Sequence, residues 1–167
     1  MEPDTYRVRP ARPEDAARIA PLAAALVRMH HQLDPLRFLC VDGLEEGYAR
    51  FLRTASEDPR SVVLVAEGPG GVVLGYAYGA LEPRDWNTLL DACGVLHDIL
   101  VAPEARALGL GRALADQALA RLFALGAPRV VLRAAWQNPA ARAFFEGLGF
   151  RSTMVEMTLE RPAEGTP

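Results

Sequence analysis

The residues best suited to chemistry form one continuous stretch, Val101-Ala102-Pro103-Glu104-Ala105-Arg106-Ala107-Leu108-Gly109-Leu110-Gly111-Arg112, in which an apolar run passes through a glycine loop into an amphipathic segment. A strand that enters a helix through such a loop leaves several backbone N–H groups without partners at the positive end of the helix dipole. A pyrophosphate is the natural ligand for that geometry. Arg106 and Arg112 add charge on either side of the turn. The same glycines also suit a plain turn before an ordinary helix. Two other phosphate loops are excluded. A dinucleotide fingerprint needs glycine where Leu114 stands, and a Walker loop needs a lysine, whereas all 18 basic residues of this chain are arginines.

Periodicity supplies the elements that must position this loop. Tyr6-Arg7-Val8-Arg9 reads as a short strand, and Pro13-Glu14-Asp15 opens a helix whose apolar positions Ile19, Leu22, Ala23, Leu26 and Val27 recur until about Asp34-Pro35. A second helix is predicted from Leu44 to Thr54. Ser61–Ala66 and Val72–Tyr78 form a hairpin around Gly68-Pro69-Gly70-Gly71, and Leu81–Ala92 is predicted to be a loop. Then come a strand at Val95–Val101, a helix at Leu110–Leu125 ended by Gly126, a strand at Val130–Leu132, a helix at Pro139–Leu148 ended by Gly149, and a last strand at Thr153–Leu159. The fold class expected is α/β, a mixed sheet flanked by helices, in one domain over residues 1–167.

Composition narrows the function. The 167 residues are 50% apolar and carry a net charge of −3, which argues against a nucleic-acid role because such binding needs a basic face. Lacking lysine, the chain has no Schiff-base nucleophile of its own. Cys40, Cys93, His30, His31 and His97 match no metal or disulfide spacing, and no apolar run approaches the ~18 residues of a membrane span. A cytoplasmic protein without membrane association is the expectation. The charge is unevenly spread: residues 103–151 hold seven arginines against Glu104, Asp116 and Glu146, a local +4, leaving −7 elsewhere.

Arg106-Ala107-Leu108-Gly109-Leu110-Gly111 resembles the R/Q-x-x-G-x-G/A motif of the GCN5-related N-acetyltransferases, preceded by a V-x-P-E element at Val101–Glu104. Asn138-Pro139-Ala140-Ala141-Arg142-Ala143-Phe144-Phe145-Glu146-Gly147-Leu148-Gly149-Phe150 is similar to a second element of that family, in the right order. The resemblance covers roughly residues 93–160. It implies an acetyl-CoA-dependent N-acetyltransferase whose co-substrate lies between two splayed parallel strands. Carried over by position, Ile99, Leu100 and Val101 would pair with the pantetheine arm, and amides from Ala107 through Leu108, Gly109, Leu110 and Gly111 to Arg112 would hold the pyrophosphate. Asn138 would bond the pantetheine, with Ala141, Phe144 and Phe145 at the thiol end. Members are often dimers, and the strand after Phe150 offers an exchange edge.

The resemblance also frames the proton chemistry. Many members place a tyrosine acid where this chain has Phe145, so the acid role falls to water, Tyr76 or Tyr78. His97 stands where the family often has a basic glutamate, with Asp98 next to it. An imidazole, of reference pKa ~6.5, suits proton acceptance near neutrality, and a water-linked carboxylate is the alternative. Strict alternation would point His97, Ile99 and Val101 to one face and Asp98 and Leu100 to the other, leaving His97 alone to meet the acceptor.

The acceptor region in this family lies near segments that are acidic here: residues 34–58 and 82–98 each sum to −3. A small cationic amine is the expected acceptor, although charge runs also serve as solvated surface. A non-catalytic acyl-CoA-binding module and a protein N-acetyltransferase are the alternatives. Trp86 could cover the acceptor or simply pack, and Met154 and Met157 are expected in the core or a subunit contact.

Overall fold

Alternating and fully apolar runs become the strands of one mixed sheet in the computed structural model, which describes residues 6–162. Its strands lie side by side in chain order: β1 (Arg7–Pro10), β2 (Ser61–Glu67), β3 (Val73–Glu82), β4 (Cys93–Val101) and β5 (Val130–Leu132). The first four pair antiparallel, and β4 with β5 is parallel. Four α-helices accompany them: α1 (Ala16–Leu33), α2 (Leu44–Glu57), α3 (Leu110–Ala124) and α4 (Pro139–Glu146).

Because side chains alternate across a strand, β2 feeds two cores at once. Val62, Leu64 and Ala66 join Leu110, Leu114, Ala118 and Leu122 of α3, while Val63 and Val65 join Ile19, Ala23 and Leu52 of α1 and α2. Close approach of α3 is written into β3 as glycine. A Cβ on Gly75 would lie 2.9 Å from the Leu100 carbonyl oxygen and 3.1 Å from Leu114, and one on Gly79 would lie 2.8 Å from the Val95 oxygen. Any larger residue there would push the helix off the sheet.

The predicted elements stand with shifted ends. The helix opening at Pro13 begins as a 3₁₀ turn, Pro13–Asp15, and β3 runs on to Glu82 into what was expected to be loop. The last strand does not form. From Arg151 to Pro162 the chain makes no helix, turn or bridge, although its residues alternate as a strand would. Alternation creates a face for burial, but a strand exists only against a neighbour, and none is paired here. Met154 and Met157 are therefore exposed and do not enter the core.

A buried charge cluster ties the sheet to α1. Asp15, 4% exposed, accepts from both terminal nitrogens of Arg9 (2.6 and 3.1 Å), from Arg18 (2.9 Å) and from the Arg12 backbone N–H (2.8 Å). Arg9 also reaches Glu67 of β2 at 3.0 Å. These bonds, led by the one from Arg9, hold the Asp15 carboxyl at about 2. Against an ordinary value of 3.8, that represents about 2 kcal/mol of stability. A carboxylate with a lowered pKa contributes fully above its unfolded value and loses the contribution as the native state is titrated. Asp15→Asn is expected to destabilise the fold by at least that amount in urea unfolding at neutral pH. The difference from wild type should shrink as pH falls from 3.8 toward 2.

Candidate active site

The pairing of β4 sets the geometry. On one side it pairs with β3 along its length, but β5 covers it only at Gly94–Leu96, opposite Val130–Leu132. From His97 to Val101 the other edge of β4 is open, and the two parallel strands separate there. Ile99 and Val101 thus present backbone groups to a cleft, as an extended amide-rich ligand requires, whereas the carbonyl of Leu100 lies against Gly75 of β3, so the expectation that Leu100 also pairs with the arm is corrected.

At the foot of this edge lies the glycine loop. Ala107 and Gly109 take left-handed backbone angles, φ +67° and +76°, which turn successive amides toward one side. For Ala107 this conformation is strained, and it sits in the loop where a ligand would be held. Among the described residues, the N–H groups of all six positions from Ala107 to Arg112 find no acceptor in the protein; the first helical bond after the loop is Ala113 N–H to Gly109. A cavity of about 280 Å³ opens here, lined by Val101, Arg106, Ala107, Gly109, Leu110, Gly111, Arg112 and Phe144. The guanidinium of Arg112 donates to Asp116 at 3.2 Å, so much of its charge is already matched.

The second sequence element is only partly gathered at this cavity. Phe144 lines it, whereas Phe145 packs into the core beneath α3. Asn138 caps α4: its side-chain oxygen accepts from the Ala141 N–H at 3.0 Å, leaving its amide NH2 for another partner. Leu108 also packs against the core.

Upstream, the alternation expected of β4 fails at His97. Tyr78 pairs with Asp98 and Gly79 with Leu96, so His97 is an extra residue without a partner on β3, a β-bulge. Its ring stacks on Tyr78 at 5.1 Å, and Asp98 accepts from the Tyr76 hydroxyl at 3.1 Å. Tyr76 and Tyr78 share one face of β3, so His97 and Asp98 both reach the α1–α2 face of the sheet, opposite Ile99 and Val101. The expectation that strict alternation sends His97 and Asp98 to opposite faces is corrected by this one extra residue.

Their surroundings differ sharply. Asp98 is mostly buried, and burial pushes its carboxyl above the ordinary value; the Tyr76 hydrogen bond and the nearby His97 and His30 oppose that rise. Burial and then the Asp98 charge raise the Tyr48 phenol to about 12 and that of Tyr76 far higher. His97 is more open, and its Nε2 donates to Glu82 Oε1 at 3.1 Å, which leaves Nδ1 as the proton-accepting nitrogen. Sequence reasoning counted Glu82 only as one charge of an acidic loop. Its role follows from the extension of β3 and the bulge, neither of which has a sequence signature. His30 and His31, by contrast, are turned to backbone carbonyls, those of Leu26 (2.9 Å) and Phe38 (2.7 Å).

Three comparisons bear on this geometry. The sequence profile of the Acetyltransferase (GNAT) family matches residues 27–150. An uncharacterized N-acetyltransferase, YhfO of Bacillus subtilis, is 28% identical over 159 residues, covering 94% of this chain and 99% of that protein. The mycothiol acetyltransferase of Beutenbergia cavernae is 42% identical over 78 residues, which are 46% of this chain but only 26% of that enzyme. In structure, an aminoglycoside N-acetyltransferase in complex with CoA superposes with a TM-score of 0.69 at 15% identity over 95% of both chains, a likeness of fold.

The Tyr76–Asp98 contact makes a prediction independent of any activity. Tyr76→Phe removes the hydroxyl that favours the charged carboxylate, so the Asp98 titration midpoint is expected to move up. Carboxyl-carbon NMR of the two proteins reads this directly; an unchanged or lower midpoint would refute the contact.

Proposed function

The chain belongs to the GNAT acetyltransferase family, and from that premise we propose that it moves the acetyl group of acetyl-CoA directly onto a primary amine of a small cationic acceptor. The observation that carries the co-substrate is the run of six unpartnered amides from Ala107 to Arg112 around the cavity, below an open β4 edge. Bound there, acetyl-CoA supplies a thioester carbonyl; the amine nitrogen forms a C–N bond as the C–S bond breaks, and amide and CoA thiol leave.

The chain's own residues handle charge and protons. The six amides hold the pyrophosphate, Arg106 faces it from the cavity wall, and Ile99 and Val101 align the arm along the strand edge. Asp98, largely out of water, attracts an ammonium group to the α1–α2 face. His97, oriented by Glu82, takes the proton that the amine must lose before attack. Tyr76 is engaged by Asp98, which leaves Tyr78 or water to return a proton to the thiolate.

Cationic character is supported by which carboxylates are already matched. Glu45 pairs with Arg28 and Asp91 with Arg84, so part of the acidic surface neutralises itself. Asp98, in contrast, has two histidines and a phenol nearby and no arginine contact among the described residues. An incoming amine is the cation that this position lacks. The aminoglycoside and mycothiol enzymes named above fit an acceptor that is a small molecule.

Two measurements test the reading. Acetyl-CoA and CoA are expected to raise the melting temperature while a nicotinamide dinucleotide does not, and thiol release with a panel of amines should favour cationic acceptors in low salt. Stabilisation by CoA without thiol release on any amine would instead identify a non-catalytic acyl-CoA-binding module. His97→Ala is expected to lower turnover about 100-fold and to remove the acidic limb of the pH profile. Asp98→Asn should chiefly raise KM for the amine. An unchanged profile in the first variant would remove His97 from the proton path.

A further inference from the structure

Asp98 keeps one carboxylate oxygen unused on the α1–α2 face of the sheet. Its Oδ2 accepts from the Tyr76 hydroxyl at 3.1 Å, and no donor among the described residues meets Oδ1. A mostly buried carboxylate without a cation is costly, so the position is built for one.

Two further polar groups face the same carboxylate. His30 shares a face of α1 with Leu26 and Met29, which pack into the core around Tyr76 and Tyr78, and its Nδ1 lies 2.9 Å from the Leu26 carbonyl oxygen. A carbonyl only accepts, so Nδ1 carries the proton and Nε2 the lone pair. The ring packs on Phe38 at 5.0 Å and is near enough to Asp98 for an imidazolium charge to act on it. Tyr48 of α2 packs on the same core, close enough to Asp98 for the carboxylate to oppose its ionisation, and its hydroxyl has no partner among the described residues. All three free atoms are reachable from solvent, since Arg142 Nε is the one side-chain atom among the described residues that is both sealed off and unpaired. A carboxylate oxygen, an imidazole lone pair and a phenol oxygen make three acceptors. A primary ammonium has three N–H donors.

The nitrogen that attacks a thioester must be neutral, whereas a buried carboxylate favours the charged form of any amine beside it. The ammonium held at Asp98 is therefore a different nitrogen from the one that reacts. We infer, on the acetyl-transfer reading above, that Asp98 Oδ1, His30 Nε2 and Tyr48 Oη hold a second, non-reacting ammonium, so that the acceptor is a diamine whose other nitrogen meets His97. Rings suit the carbon chain that joins the two nitrogens. Tyr78 stacks on His97 at 5.1 Å and meets the edge of Phe51 at 5.1 Å, and Phe51 is 46% exposed. A monoamine is disfavoured by the same arrangement, because it leaves Asp98 without its cation.

Isothermal titration of the full chain in low salt with putrescine, butylamine and aminobutanol tests the site, since their far carbon carries an ammonium, nothing or a hydroxyl. Putrescine is expected to bind about tenfold more tightly than either of the others. Tyr48→Phe, which removes one hydroxyl, should cut that advantage about threefold. His30→Asn keeps a donor for the Leu26 carbonyl but has nothing where Nε2 stood, and should cut it by a similar factor. His30→Gln, whose oxygen replaces Nε2, should restore part of it. Equal binding of the three amines overturns the proposal, as does an advantage that neither Tyr48→Phe nor His30→Asn reduces. Thiol release from acetyl-CoA is followed in parallel. Tighter binding of putrescine without release upholds the site and ends the acetyl-transfer reading, whereas release with all three amines at equal kcat/KM ends the site and leaves that reading intact.

Discussion

Beyond Leu96, β4 has a partner on one side only, and both halves of the active site depend on that. β5 is three residues long and leaves the sheet toward Asn138 and Pro139, where proline's missing N–H and fixed φ favour a helix start over more ladder. Past the bulge at His97, Asp98 to Val101 keep β3, and none of them has β5. Backbone groups that a complete sheet would consume are left for a ligand. The same strand then enters the Pro103–Ala105 turn and delivers the glycine loop directly below the gap. Had the parallel pairing continued, neither the open edge nor the space beside Phe144 would exist.

The bulge at His97 adds the second half. A regular strand would divide His97 and Asp98 between the two faces of the sheet. One extra residue against β3 brings both to the side covered by α1 and α2, beside Tyr76 and Tyr78. Neighbouring residues in sequence then acquire different chemistry from their depth alone. The deeper, Asp98, is pushed up by desolvation and held by a phenol; the shallower, His97, keeps access to solvent and a carboxylate behind its ring.

Much of this was legible in the sequence. The apolar runs of β2 and β3, the glycine loop before α3 and the proline start of α4 are local patterns with local causes, and they form elements where they were read, apart from the extension of β3 to Glu82. The bulge is not local: whether His97 is extra depends on how β3 lies against β4. Glu82 was hidden for the same reason, since nothing near it in sequence shows β3 reaching far enough to touch His97. Asn138 and Phe145 were placed by position in a motif, and the structure gives them packing and capping contacts that a motif does not describe. The segment Thr153–Leu159 shows the converse case. Val155, Met157 and Leu159 recur at period 2, yet such a period states only that a face must be buried, not what will bury it.

A net charge of −3 and the absence of lysine disfavour a polyanionic nucleotide on electrostatic grounds. Arg112 is drawn to Asp116, so of the two arginines flanking the loop only Arg106 lacks an ion pair among the described residues. The six backbone amides resolve the difficulty, because their positive ends are fixed by the fold, cost no side-chain entropy and do not depend on the overall charge. In the binding mode proposed, the backbone takes the anion, and the acidic side chains lie on the other face. In the reaction proposed, Asp98 of β4 and Glu82 of β3 would serve the cation on that face.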